Sequence, residues 1–293
     1  MKTIAHIISL ASLIFTTGCA AIGAATANLP THFDGIHVQH NIAYGAEKDQ
    51  KLDIYLPPQD GKSKHDVIVF FYGGRWTTGE KEDYAFVGST LAQAGYVVAI
   101  PDYRKYPAVR FPVFVQDAAK AVAWVADNIG AYGGDAGHLF IAGHSSGAHL
   151  GALIVADPRY LKAEGKSRSI IKAFAGLAGP YAFTPDTPDL EAMFGPPSQY
   201  AAMQVPTFID GHQPPMLLLY GANDKTVGRV NLDKLQSAIQ EKGGCVRAHI
   251  YPGIDHVWIV GALSWLGKDK APVLKDMTTF FNSSLKEKCP DSE

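Results

Sequence analysis

The chain has 293 residues, of which 47% are hydrophobic and 18% are charged. This composition is that of a globular protein with enough apolar side chains for a core, and it excludes a disordered chain. The formal net charge is -2 at pH 7 and basic residues form no long block, so the sequence predicts no nucleic-acid partner.

The first residues have the pattern of an export signal. A positively charged start precedes an apolar run at residues 7–15, which is too short to span a bilayer comfortably. We expect a signal peptide over residues 1–18, because Thr16-Thr17-Gly18-Cys19 resembles a bacterial lipobox with Cys19 as the lipidated first residue. A cleavage site of the A-x-A type at Ala25-Thr26-Ala27 is the alternative, and it would give a soluble secreted protein.

Lipidation would attach the protein to a membrane through its N-terminus. We therefore expect an exported lipoprotein that is periplasmic or attached to the outer membrane. In this interpretation, residues 19–35 form a tether and residues 36–293 form the folded domain.

The rest of the chain alternates predicted strands with predicted helices. An antiparallel hairpin comes first and turns at residues 45–49. Continuous apolar runs then predict buried strands, and the segments between them predict helices. The strands are Val67–Tyr72, Tyr96–Ile100, His138–Ala142, Ile171–Leu177, Met216–Tyr220 and Val246–Tyr251, and the helices are Tyr84–Ala94, Val113–Ile129, Ala148–Ala156, Asn231–Glu241 and Val273–Leu285. This alternation predicts an α/β fold, with a mostly parallel sheet covered by helices on both faces.

One proline-rich stretch interrupts this alternation. Residues 181–213 show little apolar periodicity. They predict a short irregular cap above the edge of the sheet at which the parallel strands end, and no separate lid domain.

A pentapeptide in this pattern predicts a catalytic nucleophile. Gly143-His144-Ser145-Ser146-Gly147 lies between a predicted strand and a predicted helix. A G-x-S-x-G sequence in this context is typical of a nucleophile elbow, in which the glycines permit a sharp turn that exposes the serine hydroxyl. A serine hydroxyl is a weak nucleophile at neutral pH, so Ser145 requires a histidine base, a carboxylate and oxyanion donors.

The base and the carboxylate are predicted from their places in the chain. Asp224 and His256 each lie a few residues past the end of a predicted strand. Loops at the carboxyl ends of parallel strands share one edge of the sheet, so both residues can reach Ser145. The order Ser, Asp, His is that of α/β-hydrolases. Asp255 adjoins the base, but adjacent residues cannot easily aim a carboxylate at a neighbouring ring, which favours Asp224.

The oxyanion donors are expected to be backbone N–H groups. In α/β-hydrolases they belong to the residue after the nucleophile and to the loop after the third strand. In this chain these positions are Ser146 and the pair Gly73 and Gly74.

A series of motifs resembles one family of esterases. Phe71-Tyr72-Gly73-Gly74-Arg75-Trp76 is similar to the H-G-G-x-W motif of carboxylesterases of the hormone-sensitive-lipase-like and kynurenine-formamidase-like groups. Tyr72 departs from this motif, because many relatives have histidine there. Further similar motifs follow in the same order: Asp102-Tyr103-Arg104, Tyr132-Gly133-Gly134-Asp135, the Ser145 pentapeptide, Gly221-Ala222-Asn223-Asp224 and Gly253-Ile254-Asp255-His256. The resemblance covers roughly residues 52–281, and it implies an α/β-hydrolase fold with esterase chemistry.

These observations predict a serine carboxylesterase that hydrolyses short-chain or otherwise small esters through an acyl-enzyme. Aryl formamidase activity is the close alternative, although an export signal fits poorly with that intracellular step. A non-catalytic surface lipoprotein on a hydrolase scaffold is the alternative of another class.

Trp76, Tyr181 and Trp258 are candidates for the substrate pocket. No metal-ligand cluster or dinucleotide fingerprint is visible, so we expect no metal and no cofactor.

Two cysteines remain if Cys19 carries lipid, an even number in an exported protein. Cys245 precedes the last predicted strand, at the edge opposite the candidate site. The closing helix must run back antiparallel to that strand, which brings Cys289 towards Cys245. The sequence therefore predicts a Cys245–Cys289 disulfide.

Overall fold

An eight-stranded sheet lies at the centre of the protein. The structure is a computed structural model that describes residues 23–287 and Cys289, so the predicted signal peptide at residues 1–18 and the predicted lipidation site Cys19 lie outside the described residues. The strands are β1 (His37–Ala43), β2 (Lys51–Leu56), β3 (His65–Phe71), β4 (Val97–Pro101), β5 (Gly134–His144), β6 (Ile171–Leu177), β7 (Met216–Gly221) and β8 (Val246–Tyr251).

The strands follow the order β1-β2-β4-β3-β5-β6-β7-β8 across the sheet. β1 and β2 form an antiparallel hairpin and β2 pairs antiparallel with β4, whereas all later neighbours pair in parallel. β4 and β7 are buried along their whole length, as strands covered on both faces require. The predicted α/β-hydrolase fold, with its antiparallel N-terminal hairpin, is confirmed.

Helices cover both faces of this sheet. They are α1 (Ala85–Gln93), α2 (Val113–Asn128), α3 (Ser146–Ala156), α4 (Pro158–Ala163), α5 (Pro188–Phe194), α6 (Val230–Glu241), α7 (Trp258–Gly261) and α8 (Val273–Ser284). Successive residues of a strand point to opposite faces. Phe140 of β5 stacks on Phe281 of α8, with ring centroids 4.5 Å apart, whereas a Cβ added to Gly151 of α3 would lie 2.9 Å from Ile141. α8 and α3 therefore lie on opposite faces.

The predicted cap, residues 181–213, contains short helices. α5 is followed by 3-10 helices at Pro197–Met203 and Val205–Phe208, and each of the three has a proline in its first turn. Proline is well tolerated there because the first N–H groups of a helix have no intrahelical acceptor. The prolines that favoured an irregular segment thus begin helices of at most seven residues.

The described part of the predicted tether packs against α1. Residues 23–28 are helical, and a 3-10 turn follows at Leu29–His32. The Asn28 side chain donates to the carbonyl of Glu82 at 2.9 Å and accepts from the N–H of Phe86 at 2.9 Å. These bonds hold the segment to the start of α1. Within the described residues, no helix combines the length and apolarity needed to cross a membrane.

A disulfide closes the C-terminal part of the chain. Cys245 and Cys289 are bonded, with their Cα atoms 5.3 Å apart. Cys245 directly precedes β8, and its carbonyl accepts a hydrogen bond from the N–H of Met216 at 3.0 Å, at the start of β7. The bond therefore fixes the chain beyond α8 to the sheet edge opposite the candidate site.

We predict that the disulfide stabilises the folded protein substantially. Cys289→Ser should lower the free energy of unfolding by about 3 to 4 kcal/mol, because the bond restricts a long loop in the unfolded chain. Urea denaturation of the wild type and the variant, each with and without dithiothreitol, measures this. Reductant should affect the wild type alone, and complete alkylation of both cysteines in unreduced, denatured protein would contradict the prediction.

Candidate active site

Ser145 occupies a sharp turn between β5 and α3. Its backbone has φ 53° and ψ -123°, a conformation that L-residues rarely adopt. The turn requires a very close approach at Gly147, where a Cβ atom would lie 2.1 Å from the carbonyl oxygen of Phe71 in β3. The Ser145 N–H donates to the carbonyl of Leu177 at 2.8 Å, which ties the turn to the end of β6. This arrangement is that of a nucleophile elbow.

The structure brings together Ser145, His256 and Asp224. Nε2 of His256 lies 2.9 Å from Oγ of Ser145, and Nδ1 of His256 lies 2.8 Å from Oδ2 of Asp224. The Asp224 side chain is fully buried, and the His256 side chain is 12% exposed. A buried carboxylate at Nδ1 selects the tautomer whose bare Nε2 can accept the serine proton.

Asp224 remains ionised at this buried position for a specific reason. Burial alone would raise the pKa of its carboxyl group. Hydrogen bonds from the His256 ring and from the N–H groups of Val227 and Thr226 outweigh burial, so the pKa of Asp224 lies below its ordinary value. The carboxylate can therefore hold the imidazole in place over the working range of an enzyme.

The loop after β8 reaches Ser145 by crossing the end of β7. The N–H of Asn223 donates to the carbonyl of Ile254 at 2.8 Å, and a Cβ on Gly221 would lie 2.4 Å from that same oxygen. Gly221 thus permits the crossing that places His256 beside Asp224.

Asp255 lies just before α7 and has a structural role that differs from that of Asp224. Its Oδ1 accepts hydrogen bonds from the N–H groups of Val257 at 3.0 Å and Trp258 at 2.8 Å. These are donors at the start of α7, which have no acceptor within the helix. Asp255 therefore caps α7, while Asp224 contacts the His256 ring.

The loop after β3 lies directly against the nucleophile, since a Cβ on Gly73 would be 3.0 Å from Cβ of Ser145. One predicted donor differs from expectation: the Gly73 N–H points at the Tyr84 hydroxyl, 3.2 Å away, and is already used. Within residues 23–287, the N–H groups of Gly74 and Arg75 donate to no acceptor. Ser146 begins α3, so its N–H has no intrahelical acceptor. Gly74, Arg75 and Ser146 thus offer donors for an oxyanion.

The three candidate pocket residues have different surroundings. Trp76 and Tyr181 are buried, and the Tyr181 hydroxyl fills the space that a Cβ on Gly176 would occupy. Trp258 is half-buried, with Nζ of Lys270 4.5 Å above its indole ring. Trp76 packs among aromatic rings, with centroids 4.9 to 5.4 Å away, that belong to Phe194, His149 and Phe183.

An ion pair joins the loop after β3 to the cap. The Arg75 guanidinium pairs with Asp189 in the first turn of α5 and donates to the Thr187 hydroxyl at 3.0 Å. The sequence places Arg75 in the loop after β3 with the expected oxyanion donors, but nothing in the sequence identifies its partner 114 positions away. The cap is therefore tied to the loop that offers N–H groups for an oxyanion.

Tyr72 anchors the start of this loop through its hydroxyl group. Its hydroxyl donates to Oδ1 of Asp102 at 2.7 Å and accepts from Nζ of Lys105 at 2.8 Å. The Lys81 N–H also donates to Asp102 Oδ1, at 3.0 Å. Tyrosine at this position thus provides a buried polar anchor in place of the histidine of the H-G-G-x-W motif.

The fold and the hydrogen-bonded Ser145, His256 and Asp224 side chains define the protein as an α/β-hydrolase. The chain belongs to the BD-FAE family, whose sequence profile matches residues 52–239.

Two proteins of similar sequence carry the names of esterases. A probable isoprenylcysteine alpha-carbonyl methylesterase, ICME, from Oryza sativa subsp. japonica is 34% identical over 154 residues, which are 51% of this chain and 37% of that protein. Esterase LipQ from Mycobacterium tuberculosis is 26% identical over 269 residues, which are 83% of this chain and 63% of that protein. The matched part of the chain thus covers less than two thirds of the length of these relatives.

Solved structures share the fold. Esterase B from Lactobacillus Rhamnosis superimposes with a TM-score of 0.80 at 20% identity, covering 98% of this chain and 97% of that chain. A truncated carbohydrate esterase from gut microbiota gives a TM-score of 0.72 at 22% identity, covering 86% of this chain and 97% of that chain.

Two isosteric substitutions distinguish the two aspartates of the site. Asp224→Asn should lower kcat by about 10⁴-fold with little change in stability, because an amide favours the wrong imidazole tautomer. Asp255→Asn is the matched control, since asparagine still caps a helix. Ester hydrolysis and thermal unfolding measure both effects. Near-normal turnover in Asp224→Asn, with loss in Asp255→Asn, would assign the carboxylate to Asp255 instead.

Proposed function

We propose that the protein is a serine carboxylesterase that hydrolyses short-chain or otherwise small carboxylic esters. The observation that carries the proposal is the continuous hydrogen-bonded chain from Oγ of Ser145 through the His256 ring to the buried carboxylate of Asp224. An unreactive serine has no need of this arrangement, whereas acyl transfer requires each part of it.

In the acylation step, Oγ of Ser145 attacks the ester carbonyl carbon while Nε2 of His256 accepts the hydroxyl proton. Asp224 stabilises the imidazolium that forms. The N–H groups of Gly74, Arg75 and Ser146 stabilise the developing oxyanion. His256 then donates its proton to the leaving alkoxide, and the acyl group remains on Ser145.

In the deacylation step, His256 removes a proton from water, which attacks the acyl carbonyl. The same N–H groups stabilise the second oxyanion, and collapse of this intermediate returns the proton to Ser145 and releases the carboxylic acid. Both half-reactions use the same side chains, so one substitution at Ser145 should abolish both.

The preference for small acyl groups rests on packing near the loop after β3. The Trp76 ring lies 4.9 Å from Phe194 and 5.4 Å from Phe183 between ring centroids, and Trp76 is buried. Close packing of these buried rings beside the loop favours a small acyl group over a long chain. The names of the relatives, a methylesterase and an esterase, favour an ester over an amide.

A labelling experiment tests the proposal. A fluorophosphonate probe should label the wild type, and Ser145→Ala should abolish labelling while the protein remains folded. Among p-nitrophenyl esters, kcat/KM should be highest for acetate to butyrate and fall for longer chains. Higher activity on an aryl formamide would favour the formamidase alternative, and no labelling of folded wild type would favour a non-catalytic scaffold.

We also infer that Cys19 carries lipid and holds the protein at a membrane. One surface feature near the N-terminal segment supports attachment to a membrane at this end of the protein. Trp265 and Leu266 are exposed, and Nε1 of Trp265 donates to the carbonyl of Thr26 at 3.1 Å, seven positions after Cys19. Exposed tryptophan and leucine beside Lys268 suit the interface of a bilayer.

The lipid anchor has its own test. Mature wild-type protein should partition into the detergent phase of Triton X-114 and incorporate labelled palmitate, and Cys19→Ser should block both. Cys245→Ser is the control, since it removes a cysteine without removing the lipidation site. Soluble mature protein beginning at Asn28 would support the A-x-A cleavage site instead.

A further inference from the structure

Two side chains outside the proposed triad connect the loop after β3 to the loop that carries the base. The Gly73 N–H lies 3.2 Å from the hydroxyl of Tyr84, and this hydroxyl lies 3.0 Å from Nδ1 of His144. Nε2 of His144 lies 2.9 Å from the carbonyl oxygen of His256. Three hydrogen bonds thus run in series from the oxyanion loop to the backbone of the base.

The direction of each bond in this series is fixed by chemistry. The His256 carbonyl can only accept, so Nε2 of His144 carries the hydrogen and donates. In the neutral ring, Nδ1 of His144 then has no hydrogen and accepts from the Tyr84 hydroxyl. This leaves the lone pairs of the Tyr84 oxygen to accept from the Gly73 N–H. With a neutral His144 ring, no other arrangement of the hydrogens satisfies all three contacts.

Burial keeps both side chains neutral. Burial, and then the neighbouring His256, lower the pKa of His144 to about 3. Burial also raises the pKa of the Tyr84 hydroxyl well above its ordinary value. The ring of Tyr84 is itself packed, with centroids 5.8 to 6.0 Å from those of Tyr72, Phe70 and Phe86.

We propose that Tyr84 and His144 are positioning residues that set the distance between the oxyanion donors and the catalytic base. This inference rests on the proposed esterase function and adds residues that touch neither the substrate nor the reacting atoms. It assigns the Gly73 N–H to the relay, and the N–H groups that follow it to the oxyanion.

The two ends of the relay lie at the reacting groups. Gly73 is in contact range of Ser145, since a Cβ there would lie 3.0 Å from the serine Cβ. His256 is held at three points, by Asp224 at Nδ1, by Ser145 at Nε2 and by His144 at its carbonyl. Loss of the third contact lets the base and the oxyanion loop move independently. Displacements of about 1 Å between reacting groups can cost about 100-fold in rate.

Tyr84→Phe tests the relay because it removes one hydroxyl and keeps the ring. We expect kcat for p-nitrophenyl acetate to fall about 10- to 100-fold with KM changed less than about twofold, because positioning acts on the transition state. Tyr96→Phe is the matched control. Tyr96 directly precedes β4, at the sheet edge opposite the triad, and its hydroxyl donates to Oδ1 of Asn282 at 3.3 Å.

Substitutions of His144 separate the two contacts. His144→Phe removes both, and adding Tyr84→Phe to it should cause no further loss of kcat, because the two residues act in one chain. His144→Gln places a donor near the former Nε2 position, so it should recover part of the activity that His144→Phe loses.

A spectroscopic measurement is independent of activity. In ¹⁵N-histidine-labelled wild type, His144 should be the neutral Nε2–H tautomer and should not titrate between pH 5 and pH 8. An Nδ1–H tautomer, or titration near pH 6.5, would overturn the relay. Equal kcat values for Tyr84→Phe and Tyr96→Phe would also overturn it. These results are distinct from failure of the esterase proposal, which would be a wild type inactive towards esters and unlabelled by fluorophosphonate.

Discussion

The left-handed backbone of Ser145 is the constraint on which the rest of the site depends. A non-glycine residue at φ 53° carries a conformational cost of about 1 to 3 kcal/mol, so the surroundings must hold it there. β3 and β6 flank β5 on either side, and the Leu177 carbonyl accepts the Ser145 N–H. Because the turn is central in the sheet, loops from both sides can converge on one hydroxyl group.

This convergence explains why the catalytic edge could be predicted in large part from the sequence. Buried strands appear as continuous apolar runs, and parallel strands present their carboxyl ends together. Ser145, Asp224 and His256 each follow such a run, so topology alone brings them near one another. The remaining distinction, between Asp224 and Asp255, came from local geometry, because adjacent residues cannot easily aim a carboxylate at a neighbouring ring.

Other parts could not be predicted, because they depend on contacts between distant side chains. The Tyr84 hydroxyl selects Gly73 as its donor only through three-dimensional placement, and the sequence suggested Gly73 as an oxyanion donor by motif alone. Arg75 pairs with Asp189 across the cap for the same reason. The short helices near Pro188 were missed since helices of one or two turns show no apolar period, and proline there begins the helix.

The disulfide also determines what happens when the backbone is cut. His256 and the exposed segment around Trp265 both lie between Cys245 and Cys289 in the chain. A single proteolytic cut at Trp265 therefore leaves two polypeptides that remain one covalent molecule. The piece that contains α8 stays attached at Cys245, beside the strand that leads to the base. An enzyme with this connection can be cut in this exposed loop without releasing a fragment.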